Sequence, residues 1–427
     1  MPAANSSLPS SASSASSVSS ASSFSADAAG AATAAAASTK AKPGIRLLGQ
    51  GGFGCVYYRG FDSNGAMLPP QYVTKLARLE KSQEIEVGHL ISRLPGYEEF
   101  FTTVIETAPV DLAVLAPDVL NQCNVIARHM ENRGTPEFQL LKQLYVPHVT
   151  MLDFVKRRGI FMNDGVVAEA YSVPRFMNVL IGCHEHMLMA LARMQTEAEV
   201  VHYDIKVQNV VLHAYTKNPV ILDFGLSFSI RDVRKALEPE PSTGSHADAL
   251  LRLKPFFYGY YPDYMTWPIE VHIISYLVNA ASAEVVEAEA ESEAEAEAEA
   301  ESDAAEPVIT VEVLAELLNT FIDNHEYLRM QTDAFKRAYY DRMMRHYTRT
   351  AVGKPGLQLA RSYIDGDNWK RWDYYSVTTL FLDAIQEMHN AYRPSEIEPY
   401  QAEIGAFCDA LKVAGGYVDG HIHSDNQ

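Results

Sequence analysis

Apolar and polar positions alternate over short distances in the first half of the chain and recur at helical spacing further on. Tyr72-Val73-Thr74-Lys75-Leu76 alternates and predicts a short strand. Cys55-Val56-Tyr57-Tyr58 is β-prone and follows glycines at 49, 51 and 54, which predicts a hairpin entered from a strand near Ile45. Residues 83–94 place apolar side chains at 87, 90, 91 and 94, a helical stripe. Between 100 and 151 strands are expected at 112–115, 125–127 and 138–146. A long helix is predicted over 175–198, with Met177, Leu180, Ile181, His184, Leu188 and Leu191 on one side; its Met and His content reads as packing. Short strands follow at 210–212 and 220–222, and a helical region rich in Tyr, Met and Arg at 310–348.

Two stretches break this pattern. Residues 1–42 are mostly Ser and Ala, too poor in large apolar side chains to offset their ordering entropy, and predict a disordered tail. An organelle-targeting peptide is the rival reading, but such peptides usually carry Arg and this stretch has none before Lys40. Residues 284–306 hold ten Glu and one Asp with no Lys or Arg. Alternating Glu-Ala carries too much like charge to pack, so a solvated loop or a free helix is expected over 282–307, with a helical insert at 308–368.

Two acids sit at the ends of apolar runs. Asp204 follows Val200-Val201 and His202, with Lys206 and Asn209 close behind. Asp223 closes Val220-Ile221-Leu222 and precedes Phe224-Gly225. An apolar run that ends in an acid and then glycine delivers a carboxylate to a strand end, where sites are built. Carboxylate plus amide oxygen is the ligand chemistry Mg²⁺ prefers, and an ammonium two residues from an acid suits a transferring phosphoryl group.

His202-Tyr203-Asp204-Ile205-Lys206-Val207-Gln208-Asn209 resembles the catalytic loop of eukaryotic-type protein kinases, and Asp223-Phe224-Gly225 resembles their metal-binding triplet. Thirteen residues lie between Asn209 and Asp223, a gap typical of that family. Gly49-x-Gly51-x-x-Gly54-x-Val56 resembles the kinase glycine-rich loop, where a Cβ would hold the backbone away from the phosphates. Lys75 matches the strand lysine that contacts the inner phosphates of ATP; its partner is a helix glutamate, and Glu84 and Glu86 each satisfy part of that pattern. A hinge is expected over 144–150. Pro268-x-Glu270 resembles the end of an activation segment, with Arg393 a candidate partner for Glu270. Asp373-Tyr374-Tyr375-Ser376 resembles the Asp-x-Trp-Ser that follows in kinases, though far downstream of its usual place, a layout similar to kinases of large DNA viruses.

The resemblance implies an α+β, two-lobed kinase-like fold, with residues 43–150 as a small β-rich lobe and 151–427 as a larger helical lobe. It implies a Ser/Thr kinase using ATP and Mg²⁺ on a protein substrate. Asp204 would orient the attacking hydroxyl and Lys206 would steady the γ-phosphoryl. Asn209 and Asp223 would hold the metal. Gly49, Gly51, Gly54, Val56, Lys75 and Glu84 or Glu86 would serve the nucleotide. Tyr203 replaces the arginine that in many relatives pairs with an activation-segment phosphate, so no such phosphate is expected to be needed. Two other readings are a small-molecule phosphotransferase, against which Lys206 and Glu270 speak, and a non-catalytic kinase-shaped scaffold, which usually lacks one of these side chains.

Composition narrows the rest. A 47% apolar chain of 427 residues is globular, and a net charge of −19, more than half from residues 284–306, argues against nonspecific binding to nucleic acid or anionic membrane. No window approaches the run of about 18 apolar residues that a membrane span needs. Cys55, Cys123, Cys183 and Cys408 form no CxxC pair, so neither a zinc site nor a disulfide framework is expected. A soluble protein of a reducing compartment, cytoplasm or nucleus, is the expectation, in a host cell if the chain is viral.

Overall fold

The glycine-rich and alternating stretches of the first half form one antiparallel sheet. In the computed structural model, residues 44–51, 54–78, 82–126, 138–160, 170–238, 246–257, 259–294 and 306–416 are described. The sheet has strands β1 (Arg46–Gly51), β2 (Gly54–Tyr58), β3 (Tyr72–Arg78), β4 (Val104–Val110) and β5 (Phe138–Leu144), in the order β1-β2-β3-β5-β4. Val73 to Ala77 of β3 are all buried, so the central strand is covered on both faces. One face is closed by helix α1 (Ser82–Ile91), where Gly88 sits against Val104. The other carries an apolar cluster of Tyr57, Phe61, Leu76, Val119, Ile126 and Phe138.

That second cluster corrects two expectations. Residues 112–114 form a 3-10 turn and 124–126 are helical; the strand at this point is Val104–Val110 instead. Asp111 explains the turn, since its carboxylate accepts from the Ala113 N–H and diverts the chain from extended backbone. Cys55 and Cys123 are joined by a disulfide across 68 residues of sequence, so the expectation of unpaired cysteines is wrong and its argument for a reducing compartment falls. The bond staples β2 to the short segment that covers a small core, a constraint worth about 2–4 kcal/mol.

From residue 145 the chain crosses into a larger, mostly helical part, giving a mixed helix and sheet protein with its sheet at the N-terminal side. The crossing, predicted as a hinge, joins β5 to β6 (His148–Thr150), with the Tyr145 N–H bonded to Gln71 O at 2.9 Å and the Ala214 N–H to Pro147 O at 2.7 Å. The helix Val173–Glu197 buries Met177, Leu180, Met187, Leu191 and Met194. After it come β7 (Val200–Val201), β8 (Val210–His213), β9 (Pro219–Ile221) and β10 (Phe228–Ser229). β7 pairs with β10 and β8 with β9, which fixes the two connecting loops, 202–209 and 222–227, side by side.

The segment after 306 is built into the same core. Helices Val311–Asn324, Asp333–Thr350 and Gly356–Asp365 bury Leu314, Phe321, Met343, Tyr347 and Leu357 with Phe228, Trp267 and Trp372. Tyr347 donates its side-chain hydrogen bond to Glu270, and burial followed by that carboxylate raises the phenol well above its usual range. Arg393, the candidate partner of Glu270, is bonded to Glu396 instead. The helix Ile269–Ala294 extends into the Glu-Ala run, while residues 1–43 and 295–305 fall outside the described part. No helix among the described residues is long and apolar enough to cross a membrane.

Asp383, on the helix Lys370–Ala391, has a buried carboxyl oxygen without a hydrogen-bond partner. Burial first, then Glu326 and Glu387, pushes its pKa up to about 8. The folded state therefore keeps a proton there that the unfolded chain releases near pH 4, and this stability is lost as pH rises towards 8, by at most about 1.4 kcal/mol per pH unit. Asp383→Asn is expected to flatten that slope and to stabilise the protein above pH 8 by roughly 1–3 kcal/mol. Denaturation midpoints at several pH values check it; parallel profiles for both proteins would refute it.

Candidate active site

Loop 202–209 leaves β7 in a conformation its sequence does not favour. Tyr203 has φ 68° and Asp223, at the end of β9, has φ 61°, both in the left-handed region that costs bulky residues roughly 1–3 kcal/mol. Tertiary contacts hold them there. Asp373, fully buried, accepts from the His202 N–H at 2.8 Å and from the Tyr203 N–H at 2.9 Å. Trp267 Nε1 donates to Tyr203 O at 2.7 Å, and the Tyr203 ring packs against Phe228, Phe257 and Trp267. Ser376 Oγ, three residues after Asp373, donates to Thr266 O at 2.7 Å and so ties that helix to the Trp267 segment.

The two loops are fastened to each other. The Leu222 N–H donates to Asn209 O at 2.8 Å, and His202 Nε2 lies 3.0 Å from Leu222 O while its Nδ1 accepts from the Asp204 N–H. Burial holds His202 below its usual range, so it stays neutral with its Nε2 proton on Leu222. Phe224 is buried against His202 and Phe101, which turns Asp223 outward.

Asp223 then meets the sheet. Lys75 Nζ is 2.7 Å from Asp223 Oδ1 and 2.9 Å from each oxygen of Glu84. Glu84 is the partner because it shares the buried face of α1 with Val87 and Ile91; Glu86 is exposed on the opposite side and does not join the site. Burial would lower Lys75, but Asp223 and Glu84 outweigh it and raise its pKa. Burial would likewise lift Asp223, yet Lys75 and the Gly225 N–H hold it down to about 2. It is an anion at every physiological pH, and its side chain is 43% exposed, open to a ligand.

Asp204 forms the second half. Asn209 Nδ2 donates to Asp204 O and Oδ2, both at 2.9 Å, and Lys206 Nζ is 2.9 Å from Asp204 Oδ1. Burial pushes the Asp204 carboxyl up from its ordinary value against the pull of Lys206 and Tyr264. Tyr264 was not anticipated: its phenol donates to Asp204 Oδ1 and accepts from Lys206 Nζ at 3.0 Å. It lies just before Pro268-x-Glu270 but outside that pattern, and only the fold of the Trp267 segment brings it here.

The glycines divide by role. A Cβ on Gly54 would lie 2.2 Å from Leu76 O, so glycine is needed there for β2 to approach β3; Gly49 and Gly51 face open space. Val56 is half-buried beside Lys75 in the register of β2 and β3, and residues 52–53 lie outside the described part.

The donor chemistry fits a hard divalent ion. No cluster of three or more His, Cys, Asp or Glu able to hold a metal occurs among the described residues; what is present is the Asp223 carboxylate and the Asn209 amide, whose nitrogen is used on Asp204 and whose oxygen remains. Mg²⁺ is commonly held by one or two such oxygens, with water and phosphate completing its shell.

No family model matches the chain, and no curated protein matches it. Among solved structures it is similar to the kinase PK-1 of Cydia pomonella granulovirus, at 14% identity and a TM-score of 0.29, over 74% of this chain and 91% of that one. An overlap of that quality carries no inference.

Proposed function

We propose that the chain is a protein Ser/Thr kinase, transferring the γ-phosphoryl group of ATP to hydroxyls of a protein substrate. One observation carries the reading: side chains scattered over 149 positions form two bonded groups, Lys75 with Glu84 and Asp223, and Asp204 with Asn209, and the backbone bond from the Leu222 N–H to Asn209 O fastens the loops that carry them. Phosphoryl transfer asks a protein for alignment and charge neutralisation more than for covalent chemistry. Lys75, held straight by Glu84, binds the inner phosphates. Asp223 and Asn209 would hold Mg²⁺, which when bound neutralises the phosphate oxygens. Asp204 accepts the proton of the attacking hydroxyl, and Lys206 offsets charge on the transferred group.

Transfer of label from γ-labelled ATP with Mg²⁺ to a mixed protein substrate tests this, and Glu84 against Glu86 sharpens it. Glu84→Gln is expected to lower kcat/KM about 100-fold by loosening Lys75, with Glu86→Gln unchanged. Equal losses in both variants would remove the ion pair from the account, and no label in the wild type would leave a scaffold.

The aromatic enclosure of Tyr203 by Phe228, Phe257 and Trp267 does mechanically what a phosphate-arginine pair does in other kinases. The hydroxyl residues of the Pro-containing stretch before Pro268-x-Glu270 that could carry such a phosphate, Ser242, Thr243 and Ser245, lie outside the described residues. Changing all three to alanine is expected to leave turnover within about twofold of wild type. Loss of turnover in the folded triple variant would show that a phosphate is required.

A further inference from the structure

The glycine-rich hairpin has little core of its own. β1 is exposed or half-buried along its length, and a two-stranded hairpin by itself is marginally stable in water. Its backing comes from residues 111–126, the described part of the connection from β4 to β5, which lie on the sheet face opposite α1. Leu115, Val119 and Ile126 of that segment pack with Tyr57, Phe61 and Leu76.

Three polar or covalent ties fasten the segment to the hairpin. The Asn124 N–H donates to Gln50 Oε1 of β1 at 3.1 Å, Tyr57 Oη of β2 donates to Val119 O at 3.0 Å, and Cys123 is bonded to Cys55. Cys55 follows Gly54 directly and precedes Val56, whose partner in β3 is Lys75. The covalent tie thus reaches β2 between the glycine that lets it approach β3 and the residue opposite the lysine assigned to the phosphates.

We propose that the Cys55–Cys123 disulfide is a positioning link for the nucleotide, and that the thiol state of this pair sets the affinity of the chain for ATP. The inference rests on the kinase reading and adds control by thiol state to the same site. Reduction is an exchange with a dithiol: the S–S bond breaks, each cysteine sulfur gains one electron and one proton, and the reductant leaves as its own disulfide. Both cysteines are fully buried, but their cover is a 3-10 turn, Leu112–Val114, and a single helical turn, Pro117–Leu120, with Asn121, Gln122 and Asn124 exposed. Opening that cover costs less than opening the sheet, so the bond yields to a dithiol while the sheet stays folded. Once it is broken, both cysteines still pack as small apolar residues. The hairpin then keeps only its hydrogen bonds and apolar contacts, and ATP must restrict its motion on binding, which weakens affinity without touching the chemistry at Asp204.

The full-length chain is prepared oxidised in air and, separately, reduced with dithiothreitol, and the linked Cys55–Cys123 peptide is followed by mass spectrometry under non-reducing conditions. ATP affinity is read twice, by calorimetric titration with ATP and Mg²⁺ and as the KM for ATP in transfer of label to the mixed protein substrate. Reduction is expected to raise both the dissociation constant and KM about tenfold, with kcat within about twofold, and reoxidation to restore them. Cys123→Ala, which leaves β2 unaltered, should match the reduced wild type and ignore dithiothreitol. Every comparison is made at a temperature at which circular dichroism shows each form folded, so lost stability is not read as lost affinity. Equal affinity in the two states, once the linked peptide has disappeared, overturns the inference and leaves the kinase reading intact; so does a fall confined to kcat. A chain that never yields the linked peptide overturns it as well. A shift in the titrated affinity with no label on the added protein upholds the link and defeats the kinase reading, and absence of ATP binding in either state defeats both.

Discussion

Asp204→Asn is expected to reduce phosphoryl transfer by about 10²- to 10⁴-fold while moving the melting midpoint by no more than about 2 °C. Asparagine keeps the shape; with its amide oxygen toward Lys206 it still receives that donor, and Asn209 keeps its bond to Asp204 O. What it cannot do is take a proton, so on the proposed kinase reading the loss falls on kcat with little change in the KM for ATP, whose contacts that reading assigns to Lys75 and Asp223. Stability should hold because the substitution removes a buried charge that already lies above its ordinary pKa. The same shift sets the acid limb of the wild-type profile. Activity requires the ionised carboxylate, is full above its pKa, and falls as pH drops through a value higher than that of an exposed aspartate. Single-turnover kinetics of both proteins across pH check this; a variant with near wild-type kcat would take Asp204 out of the chemistry.

Sequence spacing made the paired loops legible because their geometry is local. Asp204, Lys206 and Asn209 lie within one loop, and a strand pair of fixed length separates them from Asp223. The strand carrying Lys75 and the helix after it were legible for the same reason. The choice between Glu84 and Glu86 was not, since both registers of a helix with apolar residues at 87, 90, 91 and 94 satisfy part of the pattern. Packing decided it: Val87, Ile91 and Glu84 are buried together and Glu86 is not.

The misses are of longer range. Cys55 and Cys123 pair only because a turn capped by Asp111 carries the chain back over β2. The Glu270 anchor was sought in a cation, yet it is met by Tyr347, from a helix that composition alone marked as an insertion. A phenol as partner for a carboxylate has no signature in residue type. Tyr264 was missed for a similar reason, because its significance lies in a contact across 60 residues.

Asp373 is where the fold and the site depend on one side chain. Asp373→Ala is expected to destabilise the protein by about 3–5 kcal/mol, since it strands two buried N–H groups that now share one anion. The cost should exceed that of deleting an ordinary hydrogen bond, because those bonds also hold Tyr203 at φ 68°. Released, Tyr203 relaxes toward right-handed backbone and turns Asp204 away from Lys206 and Asn209, so activity falls even well below the new melting point. Asp373→Asn, whose amide oxygen can still receive one N–H, should lie between alanine and wild type in both stability and turnover. Denaturant midpoints with unchanged m-values, read beside kcat at a temperature where every variant is folded, separate the two effects. If the alanine variant melted with the wild type and turned over normally, the left-handed loop would have to be held by Trp267 alone.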